Sequence, residues 1–273
     1  MAIAVDECET NYEKMVSVAG DLFAALESDG LHPVLLKGLA SAELYEHPEL
    51  RQSGDIDIYF DADEYARAVR RDSVAEADGG LWYSFEGVKV EHHASLIDVS
   101  APNKKKFIEC LARDCGWGMT SGGLRTTAPL VTLLMLDSHA MKHAVGRGVG
   151  LRHCCDFARA RKVLDYDRTG FLECCARLGI GRWNSVFESM CDSWLGPVAS
   201  GTASPLAESL LERVLEGGNF GRKTVGPAPG AFKTFAAFCS NMGFSLRVAP
   251  EETFWTVLSL LGGRLGKMIG KKE

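Results

Sequence analysis

A chain of 273 residues with 46% hydrophobic and 24% charged residues is long enough for one large domain or two modest ones, and too apolar for global disorder. Its formal charge of −6 argues against a protein that coats nucleic acid, which needs clustered Lys and Arg, although a local basic groove stays open. The nine cysteines include the vicinal pairs Cys154–Cys155 and Cys174–Cys175 and no C-x-x-C, a pattern that fits reduced thiols better than a disulfide framework or a zinc ribbon.

The N-terminal stretch M-A-I-A-V-D-E-C-E is acidic, and its apolar run is too short for a signal peptide. No stretch approaches the roughly 18 apolar residues of a membrane span, so a soluble, cytoplasmic protein is expected. From Asn11 to Glu27, Met15, Val18, Ala19, Leu22, Phe23 and Leu26 fall on one helical stripe. Val34 to Leu36 reads as a short strand ending at Lys37–Gly38, and L-A-S-A-E-L-Y-E as a short helix closed by Pro48. A second strand spans the Asp55 segment, followed by a helix with Asp61 or Asp63 as its N-cap. G-L-W-Y-S-F-E-G-V-K-V-E-H-H-A predicts a β-hairpin turning at Glu86–Gly87. Its second strand places Val88, Val90 and His92 on one face and Lys89, Glu91 and His93 on the other.

A helix from Asn103 to Asp114 and a Gly-rich loop, Gly116 to Gly123, lead to a change of character. From Pro129 onward the patterns are helical, over 130–143, 151–164, 171–178, 183–194, 206–215 and 251–265, with a Gly- and Pro-rich loop over 217–230. Mixed α/β followed by all-α predicts an α+β protein of two domains, 1–127 and 128–273. At the C-terminus, R-L-G-K-M-I-G-K-K-E has the makings of a basic amphipathic helix for a membrane surface. Its few charges and two internal glycines favour an ordinary docked or fraying tail instead.

In R-Q-S-G-D-I-D-I-Y-F, Asp55 and Asp57 interrupt what otherwise reads as a buried strand, where aspartate is disfavoured. Strand alternation puts both on one face, about 7 Å apart, with Ile56, Ile58 and Phe60 on the other. One reading is a solvent-facing acidic pair; the other is a pair of oxygen ligands for Mg²⁺ or Mn²⁺, with Glu91 on a neighbouring strand as the third carboxylate. Two ions about 3.5–4 Å apart stabilise the attacking and leaving oxygens of an in-line phosphoryl transfer. Lys37 and Gly38, at the junction of strand and helix, supply a point charge and a backbone that phosphate can approach closely. Arg51 adds a guanidinium, or is an ordinary loop arginine. Gly54 lets the chain enter the strand tightly.

The segments V-L-L-K-G-L-A-S-A-E-L-Y, R-Q-S-G-D-I-D-I-Y-F and V-K-V-E-H-H together resemble the uncharacterised nucleotidyltransferase-like proteins of the DNA polymerase beta superfamily. The resemblance covers Val34 to His93, and extends more weakly over Leu133 to Lys162 through H-A-M-K-H and L-R-H-C-C-D. It implies a nucleotidyltransferase-type mixed sheet with flanking helices, followed by an all-α domain. It also implies Mg²⁺-dependent (or Mn²⁺-dependent) transfer of a nucleoside monophosphate from a triphosphate such as ATP to an acceptor hydroxyl, releasing pyrophosphate. Asp55, Asp57 and Glu91 would bind the metal and carry catalysis, with Glu91 as base. Lys37, Gly38, Arg51, Gly54 and Arg152 would bind the nucleotide, and His93, matching the family's E-x-H motif, would be accessory. The acceptor, whether small molecule, sugar or protein, is not specified; the charge argues mildly against long RNA.

Two further readings stand beside this one. The first is a nucleotide-binding or regulatory module that kept the fold and turns over weakly. The second is a metal-dependent phosphohydrolase at His139, His143 and Asp156, since the two histidines share a helix face at i and i+4. Packing histidines, and an Arg152–Asp156 pair that only decorates a helix, are the plainer readings of those residues.

Overall fold

The computed structural model describes residues 2–72, 75–77, 80–146, 148–196, 203–220 and 231–269. The chain is α+β and divides into two compact units. One comprises Met1–Leu96, Ile108–Met135 and Lys162–Asp165; the other comprises Ile97–Phe107, Leu136–Arg161 and Tyr166–Glu273.

The first unit opens with helix α1 (Ala2–Ser28), strand β1 (Val34–Leu35), the single turn α2 (Leu39–Ala42), strand β2 (Asp55–Tyr59) and helix α3 (Ala62–Arg71). Strands β3 (Ala75–Ala77), β4 (Gly80–Phe85) and β5 (Val88–His93) follow. After helix α4 (Lys105–Cys115) come β6 (Trp117–Met119) and β7 (Arg125–Thr127). These strands form one mixed sheet in the order β3-β4-β5-β2-β1-β7-β6. The β2–β5 and β1–β7 pairs are parallel and the others antiparallel.

The core of this unit follows from two periodicities. The α1 stripe of Met15, Val18, Ala19, Leu22, Phe23 and Leu26 is buried against Ile56, Ile58 and Phe60 of the β2 segment and Val88 and Val90 of β5. Each such side chain contributes about 1.5–3 kcal/mol on full burial. Because alternate residues of β2 and β5 are committed to this core, the intervening ones are held on the opposite face. The β4–β5 turn has positive φ at both central residues, 49° at Glu86 and 74° at Gly87. That mirror-image turn matches the twist of the paired strands, and glycine meets its second position without strain. Helix α3 is capped by Asp61, whose carboxylate accepts from the backbone N–H groups of Asp63 and Glu64.

Three local expectations are corrected. The Gly116–Gly123 stretch is not simply a loop, because Trp117–Met119 pairs antiparallel with Arg125–Thr127 as a hairpin. The segment after Gly38 is helical only to Ala42 and is followed by a separate 3-10 turn, Pro48–Leu50. Helix α10 (Ala231–Val248) lies where no helix was expected; Phe235, Phe238, Asn241 and Gly243 are weak helix formers that leave propensity little to say. The rest of the Gly- and Pro-rich stretch, 221–230, and the end of the basic tail, 270–273, lie outside the described residues.

The second unit is helical. Helix α5 (Pro129–Val145) contributes to both units, and α6 (Leu151–Val163), α7 (Arg168–Leu178), α8 (Gly181–Leu195), α9 (Pro205–Gly217), α10 and α11 (Pro250–Ile269) follow. Buried Trp183, Phe187 and Phe157 form a continuous stack, with ring centroids 5.0 Å and 4.9 Å apart. None of the nine cysteines forms a disulfide. Among the described residues, no helix is long and apolar enough to cross a membrane.

Asp137 of α5 is fully buried beneath this stack. It accepts hydrogen bonds from Trp183 Nε1 at 2.8 Å and Asn184 Nδ2 at 3.2 Å. Burial raises its pKa to about 8, more than these hydrogen bonds lower it. The folded chain therefore keeps this proton up to about pH 8, whereas the unfolded chain releases it near pH 4. Stability from this group is full below about pH 4 and falls as pH rises to about 8, by on the order of 1 kcal/mol per pH unit. Asp137→Asn is accordingly expected to flatten the pH dependence between pH 5 and pH 8, read by urea denaturation of both chains across that range. Parallel pH profiles would contradict the assignment.

Candidate active site

Parallel pairing sets β2 against β5 in the register Asp55↔Lys89, Asp57↔Glu91 and Tyr59↔His93. The polar residues of both strands thus share the sheet face opposite α1. Ligand atoms of Asp57, Glu91 and His93 all lie within 4.8 Å of one another.

Asp57 is the centre of this group and is buried. Lys37 Nζ lies 2.9 Å and His93 Nε2 2.7 Å from the same oxygen, Oδ1. Burial alone would raise its pKa, but the Lys37 ammonium and the His93 ring together hold the carboxyl far below the usual carboxylate range. Both neighbours donate to that oxygen, so the 3.3 Å separation of Lys37 Nζ and His93 Nε2 is the crowding of two donors on one acceptor.

Asp55, two residues earlier on the same face, is half-exposed and stands outside that triplet. Burial raises its pKa first, and the Asp57 charge raises it further, against the opposing effects of Lys89 and Lys37. Lys89 was no candidate from sequence, yet its Nζ lies 3.6 Å from Asp55 and 3.5 Å from Glu91. Strand alternation already placed it beside Glu91, so the signal was present.

Lys37 and Gly38 reach the site because β1 runs antiparallel to β2, with the Leu36 N–H donating to the Asp57 carbonyl at 2.9 Å. Gly38 has φ 70° and ψ −108°. A Cβ there would sit 3.3 Å from the Asp55 carbonyl oxygen and 3.5 Å from Asp57 Oδ2. Backbone conformation and close approach to the acidic strand both call for glycine.

Arg51 is buried in the segment entering β2, where Nη1 donates to Ser53 Oγ at 2.9 Å and to the Gln52 carbonyl at 3.3 Å. At Gly54 a Cβ would meet nothing within 4 Å, and φ is not in the left-handed region. Packing within the chain therefore does not require glycine at that position, and the tight strand entry expected from the sequence is not seen.

The remaining candidates belong to the second unit and are placed within it. Arg152 lies in the first turn of α6, with Asp156 buried one turn later. His139 and His143 of α5 are joined by His153 of α6. Ring centroids are 4.6 Å apart for 139–143, 4.5 Å for 143–153 and 5.4 Å for 139–153. Burial lowers the pKa of His143 well below the ordinary histidine value, and the neighbouring rings lower it further. Burial likewise brings His153 down to about 3, with His139 and Arg152 adding to the effect.

A family model described as "Uncharacterised nucleotidyltransferase" matches residues 3–196. Among solved structures, an antigenic nucleotidyltransferase-like protein from Paracoccidioides brasiliensis is similar at 12% identity, over 67% of this chain and 93% of that chain, with a TM-score of 0.38. No curated protein matches the chain.

Proposed function

Because the chain belongs to this uncharacterised nucleotidyltransferase family, we propose that the β2–β5 face transfers a nucleoside monophosphate from a triphosphate to an acceptor hydroxyl. The observation that carries the proposal is the in-register pairing of Asp57 with Glu91, which joins two carboxylates from distant parts of the chain on one face. The donor set fits a hard divalent cation: carboxylate oxygens predominate, and Asp55 is pushed toward its neutral form partly by the Asp57 charge, a repulsion that a bound cation would relieve. Asp55, Asp57 and Glu91 would hold Mg²⁺ or Mn²⁺, with His93 orienting Asp57. When bound, such an ion neutralises triphosphate charge and polarises the reacting phosphate.

The chain's own residues do the rest. Lys37, tethered to Asp57, supplies a fixed positive charge for the phosphates. Gly38 opens the backbone so that a phosphate can come close to the acidic strand, and Arg51 gives the β2 entry a guanidinium. Glu91, partly exposed beside Asp57, takes the proton of the acceptor hydroxyl as the acceptor oxygen bonds to the α-phosphorus. The bond from that phosphorus to the bridging oxygen breaks, and pyrophosphate leaves. The unit made of Met1–Leu96, Ile108–Met135 and Lys162–Asp165 carries this chemistry. The acceptor belongs to the class of hydroxyl-bearing small molecules, sugars or proteins.

A second reading, a nucleotide-binding module of low turnover, draws on the two lysines. Lys37 on Asp57, and Lys89 between Asp55 and Glu91, already neutralise much of the acidic face. One experiment separates the readings. The chain is incubated with α-labelled triphosphates, Mg²⁺ and a panel of acceptors that includes the chain itself. The transferase reading expects Mg²⁺-dependent pyrophosphate release with label moved to an acceptor. Mg²⁺-dependent nucleotide binding without pyrophosphate release favours the module, and the absence of Mg²⁺-dependent binding contradicts both.

A further inference from the structure

Helices α5 and α6 bring three imidazoles together within the second unit, and the proposed transfer reaction uses none of them. We infer that His139, His143 and His153 form a binding site for a borderline divalent transition metal of the zinc class, with Asp98 as its positioning carboxylate. The spacing supplies the first part of the argument. His139 and His143 are one helical turn apart on α5, so their rings project from one face, and His153 reaches the same point from α6. One ligand nitrogen from each ring lies within 4.8 Å of the other two. Tetrahedral Zn–N bonds of about 2.0–2.1 Å place ligand nitrogens about 3.4 Å apart, so the three nitrogens lie within reach of one such ion.

The surroundings of the rings supply the second part. Asp98 Oδ2 accepts from His139 Nδ1 at 2.8 Å. A carboxylate on one ring nitrogen fixes the tautomer that directs the other nitrogen's lone pair outward, as in carboxylate–histidine–zinc arrangements. Lys142, one turn of helix away from that contact, holds the second oxygen of Asp98 at 2.6 Å. His153 Nδ1 accepts from the Gly150 N–H at 3.1 Å and lies 3.3 Å from the Gly150 carbonyl, so the backbone at the start of α6 fixes the orientation of this ring.

Ligand chemistry selects the ion. Three nitrogen donors suit Zn²⁺, Co²⁺, Ni²⁺ or Cu²⁺ and are a poor match for Mg²⁺, which takes oxygen. Three protein ligands also leave a fourth position for water or an exogenous group. The ion would tie α5 to α6 within the second unit and is independent of the cation proposed for the acidic strand.

The test uses the full chain, stripped with chelator and titrated with Co²⁺ or Zn²⁺ alone. One equivalent of Co²⁺ is expected to bind with visible ligand-field bands, without a thiolate charge-transfer band, and to be displaced by Zn²⁺ but not by excess Mg²⁺. Glu91→Gln and His93→Gln should leave that equivalent in place, which separates this site from the acidic one. His143→Gln should abolish it, and Asp98→Asn should weaken it about 10- to 100-fold. Should His143→Gln fail to fold, X-ray absorption at the zinc edge of the wild-type chain counts the ligands directly, with three imidazoles expected. Failure of the wild-type chain to bind an equivalent, a thiolate signature from its cysteines, or loss of binding with His93→Gln in place of His143→Gln would each overturn the inference.

Discussion

Asp57→Asn is expected to destabilise the chain by about 3 kcal/mol, and adding Lys37→Met should return most of that loss. Asp57 is buried and stays ionised only because Lys37 and His93 donate to it. Removing the carboxylate charge takes the 2.9 Å ion-pair partner from a largely buried ammonium, 17% exposed, and breaking such a pair from one side typically costs about 3–5 kcal/mol. Removing both charges together replaces the pair with groups that need none. Urea denaturation of the wild type, both single variants and the double variant forms the cycle that isolates the coupling. Additive single effects would show that the pair is a bystander. The sign of the pH dependence follows from the depressed carboxyl. Its contribution is fully present above about pH 4 and is lost as the pH falls toward the lowered value, so Asp57→Asn should blunt acid sensitivity below that point.

Glu91→Gln tests the proposed chemistry with far less disturbance of the fold. The Glu91 side chain is 26% exposed, and Lys89 at 3.5 Å is its ion-pair neighbour, a contact of small energetic weight at such exposure. If Glu91 receives the acceptor proton and helps hold the cation, its amide should cut turnover roughly 10²- to 10⁴-fold, with circular dichroism and the denaturation midpoint close to wild type. Pyrophosphate release within a few-fold of wild type would remove Glu91 from that role. Lys89→Met offers the opposite sign: releasing Asp55 and Glu91 from their ammonium neighbour should strengthen Mg²⁺ binding, read by titration of the metal.

Much of the first unit was legible because its strands are half-buried. Ile56, Ile58 and Phe60 alternate with Asp55, Asp57 and Tyr59, and Val88 and Val90 with Lys89, Glu91 and His93. A period of two assigns faces without any knowledge of the partner strand. The α1 stripe and the Glu86–Gly87 turn were legible for the same local reason, and the segments Val34 to His93 carried a family resemblance that the match over residues 3–196 bears out. What local pattern does not encode is which residues meet. The parallel register that sets Asp57 against Glu91 joins strands separated by α3 and a further pair of strands, and nothing within either strand specifies that offset. Lys89 escaped notice because a lysine on an exposed alternation reads as solvent-facing until two carboxylates are found beside it.

The histidines show the same limit. His139 and His143 are paired by helical spacing alone, but His153 lies on another helix, and its convergence with them depends on how α5 packs against α6. The hairpin of Trp117–Met119 with Arg125–Thr127 was hidden by the glycines around it, which read as a loop until β7 is seen pairing with β1.

The most direct test of the central claim is a crystal structure of the chain soaked with Mg²⁺ and a non-hydrolysable nucleoside triphosphate. Ion density is expected among Asp55, Asp57 and Glu91, with Lys37 and Gly38 against the phosphates; a nucleotide bound elsewhere, with no ion at those three carboxylates, would contradict the proposed site.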